Sequence, residues 1–113
     1  MGVDVVLYRV VGAGPDRRRV SYVPAEVLPD PDDVLLDLLT RARGGGRTPL
    51  LDRVDPIGEL VVPADRAPQL LAELRRLAEA ARAAPELAHL RRLDRLARRC
   101  RQDGEMEIRF EGD

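Results

Sequence analysis

The spacing of apolar residues between Ala67 and Ala81 is the feature that most constrains how this chain can fold. One narrow arc of a helix turning ~100° per residue collects Ala67, Leu70, Leu71, Leu74, Leu77, Ala78 and Ala81. After Pro85, a second helical pattern places on one face Leu87, Leu90, Leu93, Ala97 and Cys100. A helix with a single apolar stripe must bury it against another layer. We therefore expect two long helices that pack as an antiparallel hairpin on a sheet.

Four segments have the pattern of β-strands. Residues Val3–Val11 are apolar on both alternating faces, which is typical of a central strand covered on both sides. The glycine-rich segment Gly12–Asp16 predicts a turn into a second strand at Arg19–Val23, which gives a hairpin. A third strand is expected at Ile57–Val62. In the fourth, Met106–Phe110, apolar and charged residues alternate, which indicates one buried and one wet face.

A shorter helix is expected after Asp30, which has the chemistry of an N-cap, with Pro31 at the first helical position. Its apolar positions are Val34, Leu35, Leu38, Leu39 and Ala42, and Gly44 ends it. The sequence therefore predicts a single α+β domain over residues 1–113. Its sheet is antiparallel or mixed, with about four strands, and it carries three helices. The order of the strands is left open.

Composition limits the classes of function. The net charge is −1, so no global field attracts the protein to nucleic acid or to a membrane surface. All 19 basic residues are arginine, which we interpret as a composition bias. The single cysteine cannot form an internal disulfide, the start at Met1 lacks a signal-peptide pattern, and no apolar run approaches the ~18 residues of a membrane span. We expect a cytoplasmic protein.

The supply of nucleophiles and bases argues against an enzyme. His89 and Cys100 are the only histidine and cysteine, and they lie eleven residues apart on one predicted helix. At the helical rise this is ~16 Å, too far for the contact that a Cys–His pair needs. We expect Cys100 to pack as a small apolar side chain and His89 to lie at the edge of the helix. The only serine, Ser21, lies in a strand and lacks a nucleophile turn, so no catalytic residues are predicted.

Metal and cofactor sites are also unsupported. One histidine and one cysteine cannot enclose zinc. Two groups of carboxylates stand close in the sequence, one at Asp30, Asp32 and Asp33 and the other at Asp52, Asp55 and Glu59. The first is explained by a helix start, and the second lacks the spacing of a calcium loop. The segments Gly12–Gly14 and Gly44–Gly46 lack the helix or lysine of phosphate-binding loops. We expect no metal and no cofactor.

The second long helix presents the best candidate binding surface. Its arginines form two neighbouring rows, with Arg91, Arg95 and Arg98 in one and Arg92 and Arg99 in the next. A solvated charged face, a contact with a protein partner and a contact with nucleic acid all remain open for these rows. Nucleic acid is disfavoured because no aromatic residues interleave for stacking on bases. We therefore expect no nucleic-acid partner.

The segment Leu51-Asp52-Arg53-Val54-Asp55-Pro56-Ile57-Gly58-Glu59-Leu60-Val61-Val62 supplies a second candidate. It resembles a segment of small uncharacterised actinobacterial proteins, in which Asp-Arg-x-Asp-x-x-Gly leads into a strand and a leucine-rich helix. Those proteins also tend to end like Ile108–Asp113, so the resemblance covers about half of the chain. It implies no substrate, but it draws attention to Asp52, Arg53, Asp55 and Gly58. The alternative is that these residues fix a turn before the strand.

These patterns favour a non-enzymatic protein-binding module, of which an immunity protein or antitoxin directed against a toxin is one form. The expected contact residues are Asp52, Arg53, Asp55, Arg91, Arg95, Arg98 and Arg99. The alternative is a small-ligand-binding protein or minor enzyme that uses the Asp52/Arg53/Asp55 loop, which would require a concave pocket there. A third is a self-associating structural module. We expect a monomer or homodimer with no membrane contact.

Overall fold

A computed structural model describes residues 2–13 and 19–112. The predicted turn at Gly12–Asp16 lies partly outside the described residues. The elements in chain order are β1 (Val3–Ala13), β2 (Arg19–Leu28), α1 (Val34–Ala42), β3 (Glu59–Pro63), α2 (Ala67–Ala78), α3 (Ala84–Gln102) and β4 (Met106–Gly112). Short 3-10 turns at Leu51–Arg53 and Ala64–Arg66 precede β3 and α2. In the described part of the chain, no helix is both long and apolar enough to cross a bilayer.

The four strands form one antiparallel sheet in the order β2-β1-β4-β3. The hairpin of β1 and β2 is present as predicted. On its other side β1 pairs with β4, from Val3 opposite Gly112 to Arg9 opposite Met106, so the last strand in the sequence lies in the middle of the sheet. The edge strand β3 pairs with β4 alone. The α+β class, the four strands and the three helices are therefore confirmed, and the two long helices pack together and against the sheet.

The core lies between the helices and one face of the sheet. The strands contribute Val3, Val5, Leu7, Leu60, Val62, Met106, Ile108 and Phe110 to it. The long helices contribute most of their predicted stripes, chiefly Leu70, Leu74, Leu77, Leu90, Leu93, Ala97 and Cys100, together with Leu96, which lies beside the predicted stripe of α3. Leu87 belongs to the predicted stripe of α3, but it is exposed, because it lies in the first turn of the helix. Phe110, the largest of the fully buried side chains, fills the space under the helices.

The prediction that β1 is covered on both faces needs correction. Its place inside the sheet is as predicted, and Val3, Val5 and Leu7 are fully buried under the helices. The alternate side chains Asp4, Val6, Tyr8 and Val10 face away from the helices and lie outside the core cluster, although Val6 is buried. All three helices pack on one side of the sheet. The apolar residues on the second face of β1 are therefore not covered by a second layer of helices.

Several predicted boundaries also move. Strand β2 continues past Val23 to Leu28, and α2 ends at Ala78 before the predicted Ala81. Two other shifts have a local reason. Strand β3 begins at Glu59 and not at Ile57, because the Gly58 N–H donates to the Asp55 carbonyl at 3.2 Å and closes a turn. Helix α1 begins at Val34 and not at Pro31. Asp33 has φ 55°, in the left-handed region, which interrupts a right-handed helix at that point.

The Asp30 carboxylate joins the start of β1 to the start of α1. It is 2% exposed, and it accepts the Val3 N–H at 3.1 Å, the Leu35 N–H at 3.0 Å and the Leu36 N–H at 3.1 Å. The first turn of a helix leaves its N–H groups without partners inside the helix. Asp30 therefore caps the N-terminus of α1 although it lies four residues before the helix. The same carboxylate also accepts the Val3 N–H of the sheet.

The Glu73 carboxylate, on α2, has a comparable structural role that the sequence reasoning did not identify. It is 1% exposed and accepts the Leu50 N–H at 3.1 Å, the Leu51 N–H at 2.9 Å and the Gln69 side-chain amide at 2.9 Å. Burial of a carboxylate is costly unless hydrogen bonds satisfy it. These bonds fix the loop between α1 and β3 against the second helix.

We expect Asp30→Ala to destabilise the fold by about 3–5 kcal/mol, because two buried N–H donors and one partly buried N–H donor would lose their acceptor. The exposed Asp32 gives a matched control, and Asp32→Ala should change the free energy of unfolding by less than ~0.5 kcal/mol. Urea unfolding followed by circular dichroism measures both variants. Equal midpoints for the two variants would contradict the role given to Asp30.

Candidate interaction surface

The four arginines predicted as partner contacts are exposed on α3 as expected: Arg91, Arg95, Arg98 and Arg99. Two of them already have carboxylate partners within the chain. Arg98 Nε lies 2.6 Å from Asp94 Oδ2, one helical turn away, and Arg99 Nη1 lies 3.0 Å from Glu26 Oε1 on β2. Exposed ion pairs contribute little to stability, but they reduce the positive charge that α3 offers to a partner.

The predicted loop residues are used mainly to hold their own turn. Asp52 accepts the Thr48 hydroxyl at 3.1 Å and the Gly44 N–H at 3.4 Å. Asp55 accepts the Ile57 N–H at 3.0 Å, while Arg53 is exposed in the 3-10 turn. Among the described residues, no hydrogen bond or ion pair connects this loop to the arginines of α3. The geometry favours the turn-fixing explanation of the carboxylates, and the two candidate sets are separate.

His89 and Cys100 both lie on the uninterrupted helix α3, so the separation of ~16 Å expected from the helical rise applies. Both side chains are buried, and His89 lies deeper than the helix edge predicted for it. Burial raises the pKa of the Cys100 thiol to about 11, with further contributions from the charges of Glu107 and Asp103. The thiol is therefore protonated at neutral pH. Within residues 2–13 and 19–112, no group of three or more His, Cys, Asp or Glu side chains could hold a metal ion.

The His89 ring is neutral for a similar reason. Burial lowers its pKa, the nearby charge of Asp30 opposes that effect in part, and Arg92 lowers the pKa further. Nε2 of this ring is buried and has no hydrogen-bond partner in the described part of the chain. Protonation inside the fold would place a charge in an apolar setting without a direct acceptor.

The side of the sheet turned away from the helices is the surface that sequence reasoning missed, and we call it the open face. Because successive side chains alternate between faces, the open face carries Asp4, Val6, Tyr8 and Val10 from β1, Val20, Tyr22, Pro24 and Val27 from β2, Glu59, Val61 and Pro63 from β3, and Glu107, Arg109 and Glu111 from β4. Both tyrosines of the chain are among them. The helices pack on the opposite side, so no helix covers these residues, although Val6 and Glu107 are buried by their neighbours on the sheet.

A cluster around Arg109 organises the centre of the open face. We call it the Arg109 cluster, and its members are Tyr8, Tyr22, Glu59, Glu107, Arg109 and Glu111. The guanidinium carbon of Arg109 lies 4.8 Å from the ring centroid of Tyr8 and 4.2 Å from that of Tyr22, within the range of cation–π attraction. Arg109 Nε donates to Glu107 at 2.6 Å, and Arg109 Nη1 lies 3.6 Å from Glu59. The Tyr8 hydroxyl donates to Glu111 at 2.7 Å.

The protonation equilibria of the cluster follow from these contacts. Partial burial works against the charge of Arg109, but the hydrogen bond and charge of Glu107, together with Glu59, raise its pKa above the usual value. The hydrogen bond to Glu111, followed by partial burial, raises the pKa of Tyr8. At neutral pH, Arg109 is therefore a fixed cation and Tyr8 a fixed hydrogen-bond donor.

The hairpin of β1 and β2 carries most of the exposed apolar side chains. Of the eight large apolar residues exposed in the described chain, five lie on it: Val11, Val20, Tyr22, Val23 and Val27. The hairpin also extends beyond the rest of the sheet. On the side of β4, hydrogen bonding to β1 reaches as far as the Val10 N–H, which donates to the Glu105 carbonyl at 2.8 Å. On the side of β2, pairing with β1 continues to Ala13, which lies opposite Arg19. The longest dimension of the molecule is 50 Å, against 26 and 23 Å for the others.

A cleft of about 410 Å³ lies where the hairpin leaves the body of the sheet. Val10, Val11 and Val20 line it from the hairpin, and Pro63 and Met106 are among the residues on the other side. Asp52, Arg53 and Asp55 line neither this cleft nor four others formed by the described residues. The cleft continues the apolar surface of the hairpin and belongs to the same exposed region.

The outer edge of β2 is a poor template for an added strand. In an antiparallel pair, the N–H and C=O of one residue point to the same neighbour. Val10 directs its N–H to β4, so the residue opposite it, Tyr22, turns its backbone groups to the outer edge. Pro24, two residues further along β2, also faces the outer edge, and it has no N–H to offer there. The register shift opposite Leu7 and Tyr8 leaves Ala25 unpaired as a β-bulge. Both features block edge pairing, so contact is expected through side chains.

Comparison with protein-family models, with curated proteins and with solved structures gave no match to this chain. The function must therefore be argued from the geometry of the chain itself.

We expect Cys100 in the native protein to react with a disulfide reagent at pH 8 at least ~100-fold more slowly than a free thiol, because its pKa of about 11 reduces the thiolate fraction by about that factor. Glutathione and the protein unfolded in guanidinium serve as controls. A native rate within about tenfold of the unfolded one would contradict the burial of this thiol.

The lowered pKa of His89 predicts a loss of stability in mild acid. An unfolded histidine binds its proton near pH ~6.5, whereas the folded His89 binds it only at lower pH. The unfolded state therefore binds more protons in that window, and stability falls as pH decreases below ~6.5. We compare the free energy of unfolding of the wild type with that of His89→Gln by urea unfolding at each pH. The difference between the two proteins should be constant above pH 7, and between pH 7 and 5 it should change in the direction of a less stable wild type. A difference independent of pH throughout would refute this assignment.

Proposed function

We propose that this chain is a non-enzymatic protein-binding module and that its partner docks on the open face and the β1/β2 hairpin. The observation that carries the proposal is the concentration of exposed apolar side chains on this hairpin, of which Val20, Tyr22 and Val27 lie on the open face. Burial of apolar surface is the main driving force of protein association, at roughly 25 cal/mol per Å². Contiguous exposed apolar residues with a polar surround mark interaction sites in folded proteins.

Tyr22 is the strongest candidate for an anchor. The residue is 46% exposed, and the Arg109 guanidinium lies against its ring. Tyrosine is enriched among the residues that dominate binding energy. Because the stacking contact already limits the rotamers of Tyr22, less side-chain entropy is lost when a partner covers it.

The surrounding sheet supports the same proposal. Tyr22 and Val20 extend from one strand of an antiparallel ladder, so their relative positions are fixed by the backbone. Binding constellations on strands or helices are held more accurately than those on loops. Carboxylates on the open face would repel phosphate groups, so we propose no nucleic-acid partner.

Three more specific hypotheses from the sequence concern the role of the module, a second docking surface and an alternative function. An immunity protein or antitoxin that blocks a toxin is one form of such a module, and it would act in the cytoplasm. The α3 arginines remain a second docking candidate, although internal ion pairs engage Arg98 and Arg99. For the small-ligand or enzyme alternative, Asp52 and Asp55 would have to leave their local hydrogen bonds to converge on a ligand.

The proposal predicts that Val20→Glu/Tyr22→Glu abolishes capture of the partner from lysate of the source organism. Loss of one aromatic anchor costs about 2 kcal/mol or more, so titration with the purified partner should show binding at least ~30-fold weaker. Affinity capture with quantitative mass spectrometry identifies the partner, and calorimetry gives the affinity. Circular dichroism confirms that each variant is folded.

The chain offers matched controls for this experiment. Ile57→Glu/Leu87→Glu adds the same charges at exposed apolar positions outside the open face and should keep the partner. Arg95→Glu/Arg98→Glu tests the face of α3 predicted from the sequence. If the hairpin and control variants capture identical sets of proteins, docking on the hairpin is wrong; if only the α3 variant loses the partner, the docking surface is the α3 face.

A further inference from the structure

The charges of the open face are unbalanced. Its described side chains include four carboxylates, Asp4, Glu59, Glu107 and Glu111, and one guanidinium, that of Arg109. Six exposed arginines, Arg91, Arg92, Arg95, Arg98, Arg99 and Arg101, lie instead on α3, across the sheet from this surface, and the other exposed arginines that the structure describes lie on α1, α2 and the connecting loops. The near-neutral total charge of −1 therefore conceals an acidic face opposite a basic one.

The single cation found among the described residues of the open face is already occupied. Arg109 donates to Glu107 and lies beside Glu59, and its guanidinium is attracted to both tyrosine rings. A further anionic group would therefore have to displace a neighbouring carboxylate to reach it. Glu59, with a side chain 46% exposed, and Glu111 remain at the surface of the cluster with acceptor oxygens available to an incoming donor.

We infer that the partner's docking surface is cationic, with arginine or lysine side chains set among apolar ones; this inference rests on the proposed function. A guanidinium from the partner can stack on Tyr22, a second cationic side chain can donate to Glu59 or Glu111, and apolar neighbours can cover Val20 and Val27. Complementary charge of this kind increases the association rate and selects the partner.

The same charges oppose a second copy of the chain as the occupant. A two-fold dimer through the open face would place each acidic patch against its own equivalent. Like charges facing each other across an interface cost free energy and disfavour that pairing. Docking of the open face on the α3 arginines of another copy would be head-to-tail, which light scattering over a concentration series detects.

Intrinsic fluorescence gives a reporter confined to this surface, because the chain has two tyrosines, both on the open face, and no tryptophan. The probes are two end-blocked peptides of twelve residues, one alternating Arg and Val and the other alternating Glu and Val. We expect saturable quenching or enhancement with the Arg/Val peptide, and affinity that falls between 50 and 500 mM salt as screening increases. The Glu/Val peptide should leave the signal unchanged.

Two charge variants test the carboxylates. Glu59→Gln/Glu111→Gln keeps side-chain size and hydrogen bonding, and should weaken the Arg/Val peptide about fivefold, as expected for the loss of two exposed charge contacts. Asp32→Asn/Asp65→Asn removes the same charge at exposed positions away from the open face and should leave the affinity within about twofold.

The outcomes separate this inference from the proposed function. Equal or tighter binding of the Glu/Val peptide, no binding of either peptide, or equal weakening by both charge variants would overturn the cationic partner. So would oligomerisation that Glu59→Gln/Glu111→Gln prevents, since the occupant would then be a second copy. If a partner is captured through the hairpin, but its binding depends neither on salt nor on Glu59→Gln/Glu111→Gln, only the cationic partner is overturned. If capture does not depend on the hairpin, the proposed function itself is overturned.

Discussion

The structure depends on one-sided packing of the sheet. Leu7, Ile108 and Phe110 occupy adjacent strands and turn the same way, and the stripes of α2 and α3 cover them. With three helices, the chain has enough apolar helical surface to bury one face of a four-stranded sheet. The other face is left exposed, and the positions of the candidate surfaces follow from this single arrangement.

The open face is stabilised by polar contacts in place of a second layer. Arg109 lies in a central strand, where its long side chain can cover apolar neighbours while its charged end meets Glu107 and the tyrosine rings. Val6 is buried although it faces this side, and it lies directly opposite Arg109 in the register. The cluster therefore keeps part of the open face dry and leaves Tyr22 and Val20 for contact with other molecules.

The sequence predictions succeeded where local periodicity decides the structure. The helical stripes and the β1/β2 hairpin were recognisable, because each pattern depends on residues close in sequence. The alternation located β4, but its second face is not fully wet, because Glu107 is buried beside Arg109. The predictions failed where a distant residue intervenes. Asp30 caps a helix that begins four residues later because its carboxylate also accepts the N–H of Val3 from β1. Periodicity could not show that the second apolar face of β1 has no helix to cover it.

By itself, the sequence determined the fold class, the number of strands and helices, and the separation of His89 from Cys100, since these follow from spacing along the chain. Only the tertiary structure decided that Arg109 meets Tyr8 and Tyr22, and which face of the sheet is exposed. The physical reason is that Tyr22 and Arg109 are far apart in sequence, and the order β2-β1-β4 brings their strands to either side of β1. Strand order is a property of the whole packing, and no local pattern encodes it.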